Sequence, residues 1–414
     1  MISGGKRMTI SARRMGRLLL LVGPILGFNA ATAQGASASV ACDADPARGG
    51  GFASHRQVDG HPLRPPALPD GWAVSVPSAQ GLRPQPLERM LQAVEGGRLT
   101  KIDSIIVARH GRLVLEAYFN GFDRDDPHET RSAVKSILSV LVGIARDRGA
   151  IDTLDRRVLS LFPERTGSAE VPPTKARMTI RDLLTMQAGL DVGRDIAAGP
   201  WKSDRGGRTD DWVGHVLDLP MGREPGRRFS YNTATSVLLG GVLRQAGGRP
   251  VAAFARLNLF DPLCITDYRW SFSPSGQAMT GSQFMMRPRD LAKIGQLLLD
   301  RGMWNGRRIV SAAWVDESTR KHVATRPTNA PPDPARDGVG YGYHWWTLKA
   351  EDPRGLTARF FASGNGGQKI YVYPGLDLVV VFTGSHYGRS IGHFQPERIL
   401  RQFIFPAIKD LDRT

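Results

Sequence analysis

The chain has 414 residues, 41% of them hydrophobic and 23% charged, which is enough apolar material for one or two packed domains and excludes wholesale disorder. Its 47 glycines and 28 prolines follow no G-X-Y period, so a collagen-like fibre is excluded as well. The formal charge of +16 falls to +11 without residues 1–33, and the longest basic runs are pairs such as Arg227-Arg228 and Arg307-Arg308. No basic helix face stands out, so nucleic acid is not an expected partner.

Residues 1–33 open with Lys6, Arg7, Arg13, Arg14 and Arg17, continue as an apolar run from Leu18 to Phe28, and end in Ala31-Thr32-Ala33. This layout predicts a secretory signal peptide cut before Gln34, and hence a periplasmic or secreted protein. The apolar run is broken by Pro24 and is too short to span a bilayer, so no stable membrane insertion is expected after cleavage. Residues 34–80, rich in Ala, Gly, Pro and Asp, read as a leader with little structure of its own. The two cysteines, Cys42 and Cys264, leave a disulfide between them open. There is no CxxC or HExxH, and the histidines have no metal-ligand spacing, so no metal is expected.

From about residue 81 the pattern becomes globular. Residues 104–109 and 113–119 are β-rich runs around His110-Gly111-Arg112, a predicted hairpin. Residues 132–147 are predicted helical, because Ile137, Leu138, Leu141, Ile144 and Ala145 recur at helical spacing before Gly149. Helices are also predicted at 179–186, 233–245 and 288–299, and a closing one near 396–404. Residues 193–210, which include Trp201, and the proline-rich 324–340 read as long loops of the kind that rim pockets. Strands return at 359–362, 369–373 and 376–383. The order of strands, helices and strands again predicts an α/β protein of the α+β type. Its α/β lobe would comprise 81–130 and 285–410, with an all-α lobe inserted over 131–284.

Ser132-Ala133-Val134-Lys135 is an S-x-x-K tetrad. Two others occur, Ser3–Lys6 and Ser318–Lys321, but only Ser132–Lys135 leads into a strongly apolar helix. A spacing of three puts both side chains on one helical face, and a desolvated lysine there can lose its proton near neutral pH and deprotonate the serine. A capping serine with a snorkelling lysine is the alternative from the tetrad alone. Gly388-Arg389-Ser390-Ile391-Gly392 matches G-x-S-x-G, but too little chain follows it for the acid and histidine such a nucleophile needs. A loop before the final helix is expected there instead.

Two further stretches complete a pattern: Phe229-Ser230-Tyr231-Asn232-Thr233, and Ser363-Gly364-Asn365-Gly366-Gly367-Gln368. With these motifs the sequence, from about 81 to 405, resembles the serine β-lactamase and penicillin-binding-protein superfamily. It is most similar to the class C-like branch, which includes esterases and 6-aminohexanoate-dimer hydrolases. Met178–Met186, Arg289–Gly295 and Tyr341–Trp346 extend the likeness.

The resemblance implies a β-lactamase-like fold, an antiparallel sheet flanked by helices with an inserted all-α lobe. It implies a Ser132 nucleophile, Lys135 as its activator, Tyr231 as proton shuttle, and an oxyanion hole from the backbone N–H groups of Ser132 and Asn365. It implies no metal and no organic cofactor. Thr233, Ser363, Gly364, Gln368, Trp201 and Trp345 are the expected substrate-binding residues, and the substrate would be a small ester or amide. Two departures bear on specificity. Thr233 stands where the family usually has the Asn of Y-x-N, and Ala362 stands where a Lys or His begins the third motif. The second counts against efficient cleavage of β-lactams or D-alanyl peptides. A β-lactamase or D,D-peptidase, and a catalytically silent module binding cell-wall or acyl ligands, remain the rival readings.

Overall fold

A computed structural model describes residues 63–165, 172–202, 209–325 and 338–412. The expected signal peptide, Cys42 and residues 34–62 of the expected leader lie outside the described residues. So do 203–208 and 326–337, the middles of the two expected long loops.

The first elements are β1 (Ala73–Val74), α1 (Pro84–Glu95), β2 (Ile102–Arg109) and β3 (Arg112–Tyr118). His110 and Gly111 both have positive φ, which gives the tight turn that closes the β2–β3 hairpin. Then come β4 (His128–Glu129), α2 (Val134–Asp147), α3 (Pro173–Ala176), α4 (Ile180–Leu184), α5 (Trp212–Asp218), α6 (Thr233–Gly247) and α7 (Val251–Ala255). They are followed by β5 (Tyr268–Trp270), β6 (Phe284–Met286), α8 (Pro288–Leu299), β7 (Met303–Trp304), β8 (Arg307–Arg308) and α9 (Ala312–Thr319). The chain closes with β9 (Val323–Ala324), β10 (Gly340–Tyr341), β11 (Trp346–Leu348), β12 (Arg359–Gly364), β13 (Gln368–Tyr373), β14 (Leu378–Gly384), α10 (Ile391–Ile399) and α11 (Phe405–Ala407).

One sheet, ordered β1-β3-β2-β14-β13-β12-β11-β10-β9, unites strands from both ends of the described chain. Its pairings are antiparallel except β1 with β3, which run parallel. Alternation along the central strands divides the apolar side chains into two layers. Ile106, Ile370, Val379 and Val381 face α2, α6 and α8, while Ile105, Val107, Tyr371 and Val380 face α1 and the C-terminal helices. β14 is therefore covered on both faces, which is why its sequence is a continuous apolar run and not an alternating one.

Two expectations need correction. Residues 63–80 are built into the fold and are not leader. Ala73 and Val74 pair with Arg112 and Leu113, and Trp72 meets Trp304 edge to face at 5.2 Å. Asp70 holds Arg289 at 2.6 Å, whose other arm reaches Glu116 at 2.5 Å. These carboxylates neutralise a guanidinium that is almost fully buried. The closing helix begins at Ile391, with Pro396 inside it, where the proline suggested a start. Among the described residues no helix is long and apolar enough to cross a membrane.

Candidate active site

Arg131–Ala133 forms a short 3-10 turn that feeds directly into α2. Arg131 has φ +49°, so the chain reverses sharply just before Ser132. The turn sits against the end of β12. A Cβ on Gly364 would collide with the Thr130 carbonyl and come within 3.1 Å of Arg131 Cβ, so only glycine lets strand and turn meet this closely.

From the first turn of α2, Lys135 places Nζ 3.1 Å from Ser132 Oγ. Its other partner is the carbonyl oxygen of Gly281, in the loop before β6. Lys135 is 1% exposed, and burial pulls its pKa from 10.5 to about 7. Both polar neighbours are neutral, so nothing offsets the loss of hydration. Gly281 is itself fitted to the amine. A Cβ there would lie 3.5 Å from Lys135 Nζ and 2.7 Å from the Thr233 methyl group.

Tyr231 reaches the same point from the segment that enters α6. Its hydroxyl is hydrogen-bonded to Ser132, and burial pushes its pKa up to about 12. Its ring lies 5.3 Å from Lys135 Nζ. Asn232 caps α6 by accepting the N–H of Thr235 at 2.8 Å, which fixes the preceding tyrosine at the helix mouth. Tyr341 and Trp346 wall the far side of Tyr231, with ring centroids at 6.2 and 5.5 Å. A lysine pushed down and a tyrosine pushed up, both on one serine hydroxyl, divide the proton chemistry. An amine so placed can accept the serine proton near neutral pH, while the tyrosine keeps its own.

The structure thus brings Ser132, Lys135 and Tyr231 together, with Thr233 beside them across Gly281. Asn365 is exposed in the turn after β12. Its side-chain oxygen accepts the Gly388 N–H at 2.9 Å, and its carbonyl accepts from Gln368 Nε2 at 3.2 Å. Gln368 also donates to the Gly384 carbonyl at 2.6 Å, so its buried amide holds this turn onto β14. Gln368 is therefore a strut beneath the turn. Ser363 is half-buried at the end of β12.

Trp201 and Trp345 pack elsewhere than on Ser132, Lys135 and Tyr231. Trp201 packs edge to face on Trp212 at 6.3 Å in the helical region, and Trp345 packs on Phe360 at 5.5 Å in the core layer beneath the sheet. Both satisfy apolar packing where a pocket wall was expected. Trp346, the next residue on the opposite face, is the one that meets Tyr231. Trp346 was a candidate pocket residue in the sequence, whereas His344 was not an expected site residue. Its two ring nitrogens lie 3.2 Å from the carbonyls of Lys135 and Leu183, of which the neutral imidazole can donate to one, while Ser136 Oγ donates to the His344 carbonyl at 2.6 Å. Burial and the neighbouring Lys135 hold its pKa at about 3. A histidine inside an aromatic run carries no sequence signal for this, nor does a glycine in a polar loop. Of the competing serines among the described residues, Ser318 is buried in α9 and donates to the Val315 carbonyl at 3.3 Å, and Ser390 is exposed at the start of α10. Among the described residues no cluster of side chains fits a metal ion.

The family model described as Beta-lactamase matches residues 91–393. A 6-aminohexanoate-dimer hydrolase of Paenarthrobacter ureafaciens is 28% identical over 307 residues, covering 69% of this chain and 73% of its own length. Among solved structures, a class C beta-lactamase from Rhodobacter sphaeroides superposes with a TM-score of 0.59 at 16% identity, over 78% of this chain and 100% of that one. EstCE1, described as a hydrolase with promiscuous acyltransferase activity, gives a TM-score of 0.61 at 18% identity, over 79% of this chain and 99% of that one. At these identities the two structural likenesses establish the fold.

Proposed function

This chain belongs to the beta-lactamase family and is a serine hydrolase of small amides or esters, and from that premise we propose a mechanism through an acyl-enzyme on Ser132. The observation that carries the proposal is the buried Lys135 amine, 3.1 Å from Ser132 Oγ and poised at a pKa of about 7. Neutral Lys135 takes the Ser132 proton as Oγ attacks the carbonyl carbon. The backbone N–H groups of Ser132 and Asn365 receive the developing oxyanion. Tyr231, still protonated, passes a proton to the departing amine or alkoxide. A water molecule then attacks the ester of Ser132 by the reverse proton path, releasing the acid and restoring the hydroxyl.

The hydrolase and acyltransferase activities of the relatives support an acyl-enzyme. Acyl transfer results when an alcohol or amine replaces water in the second step, and dimer hydrolysis needs only water. The proposal includes export, on the basic, apolar and small-residue pattern of residues 1–33.

The test is intact mass after incubating the mature protein with an activated-phosphonate probe, beside a folded Ser132→Ala control. One adduct on the parent that is absent from the variant is the expected result. An adduct on both, or on neither, contradicts the assignment. A screen of neutral p-nitrophenyl esters and anilides then separates ester from amide preference.

A further inference from the structure

The two N–H groups that receive the oxyanion belong to segments far apart in sequence: Ser132 follows β4, and Asn365 follows β12. One buried carboxylate joins the supports of both. Asp103 on β2 is fully buried, and its Oδ2 accepts from His128 Nε2 at 2.9 Å and from Ser385 Oγ. Its Oδ1 accepts from Asn120 Nδ2 at 2.9 Å. Burial would raise the Asp103 carboxyl, but donation from His128, Ser385 and Asn120 outweighs it and holds the pKa below the ordinary value. At neutral pH the group is therefore an ionised carboxylate that only accepts.

Each arm leads to one side of the oxyanion hole. His128 opens β4, and the Thr130 carbonyl, between His128 and Ser132, abuts Gly364. Ser385 opens the loop 385–388 that leaves β14. In that loop the His386 N–H donates to the Gly366 carbonyl at 3.0 Å, and the Gly388 N–H donates to Asn365 Oδ1 at 2.9 Å. The Tyr387 ring lies against Gly366, where a Cβ would come within 2.7 Å of it, and the Arg131 guanidinium sits 4.6 Å from the ring centroid. The loop thus touches both the Asn365 turn and the residue before Ser132. Hydrogen bonds to a carboxylate are shorter and stronger than neutral ones, so Asp103 fixes how far apart the two segments stand.

We propose that Asp103 is a positioning residue for hydrolysis: through His128 and Ser385 it sets the separation of the Ser132 and Asn365 N–H groups. This rests on the acyl-enzyme reading of Ser132. An oxyanion gains from both donors only when each reaches the same point, so displacing either one weakens the transition state more than it weakens substrate binding.

A neutral aryl ester and its thionoester test it, because they differ only at the carbonyl atom and sulfur is a weak acceptor of hydrogen bonds. The kcat/KM of each is measured for the parent, Ser385→Ala, Ser385→Thr and Asp103→Asn, per active site counted by phosphonate labelling. Ser385→Ala should lower the ester value about tenfold and Asp103→Asn about 10²-fold. The thionoester should lose much less, so the ratio of ester to thionoester falls in both variants, while Ser385→Thr, which keeps the hydroxyl, retains the parent ratio. A merely structural role would lower both substrates in proportion. A ratio that Ser385→Ala and Asp103→Asn leave unchanged overturns the proposal, and if Asp103→Asn does not fold, Ser385→Ala alone decides. If the parent turns over neither substrate, the reading of Ser132 fails first and this proposal falls with it.

Discussion

Lys135 and Lys293 are both buried, and each stands three residues after a polar partner on a helix turn. Lys293 on α8 follows Asp290, whose carboxylate lies 2.8 Å from its Nζ, with Asp70 at 3.9 Å. Lys135 follows Ser132 and meets only a hydroxyl and a carbonyl. The spacing is the same and the burial is the same, but one ammonium has a counter-charge and the other does not. Burial of a lysine is therefore not what makes a base. Burial without a carboxylate is, because the only remaining way to lower the cost is to release the proton.

This contrast can be broken from either side. Lys135→Met has the largest expected effect: kcat/KM falls about 10³-fold, since no other group near Ser132 accepts its proton at neutral pH. The same variant should be more stable than the parent. Below pH 7 the folded parent keeps a buried ammonium at full cost. Between about 7 and the ordinary value of 10.5 the unfolded chain binds more protons than the folded one, so the stability of the parent rises with pH across that window. The advantage of Lys135→Met should amount to a few kcal/mol at or below pH 7 and vanish above 10.5, as read from denaturant midpoints across pH.

Asp290→Asn attacks the other lysine. It leaves Lys293 with only the more distant Asp70 as counter-charge and takes the carboxylate from Arg287 as well, at a cost of about 3–5 kcal/mol, and should lower the thermal midpoint by roughly 5 °C or more. The pH dependence of turnover should stay where it is. A shift of that dependence would mean that the two lysines are coupled. Gly281→Ala sharpens the comparison most finely. Its new methyl group would press on Thr233 and approach the Lys135 amine, and kcat should fall about tenfold with little change in thermal midpoint.

The clustering of Ser132, Lys135 and Tyr231 was legible because its signal is local. Ser132 and Lys135 are one helical turn apart, and Tyr231 immediately precedes the capping Asn232 of a strongly apolar helix. The central strands and α8 were legible for the same reason, as runs with one clear period. What stayed hidden depends on partners distant in sequence. Asp103 meets Ser385 across 282 positions, and Gly281 meets Lys135 across 146. Trp201 and Trp345 looked like pocket walls because an indole in a loop and one beside a strand have the same composition in core and cleft. Only the fold distinguishes Trp345, turned into the core, from Trp346, turned toward Tyr231. Residues 63–80 read as leader because proline-rich sequence hides a single buried Trp72 and the acid that binds Arg289.

The most direct test of the central claim is the rate at which an activated phosphonate labels Ser132, followed by intact mass from pH 5 to 10. If neutral Lys135 is the base, the rate constant rises about tenfold per pH unit up to a midpoint near 7 and is flat above it, since Tyr231 keeps its proton to about 12. A rate that continues to climb through pH 9 toward the ordinary lysine value of 10.5, or that does not depend on pH, would contradict the account.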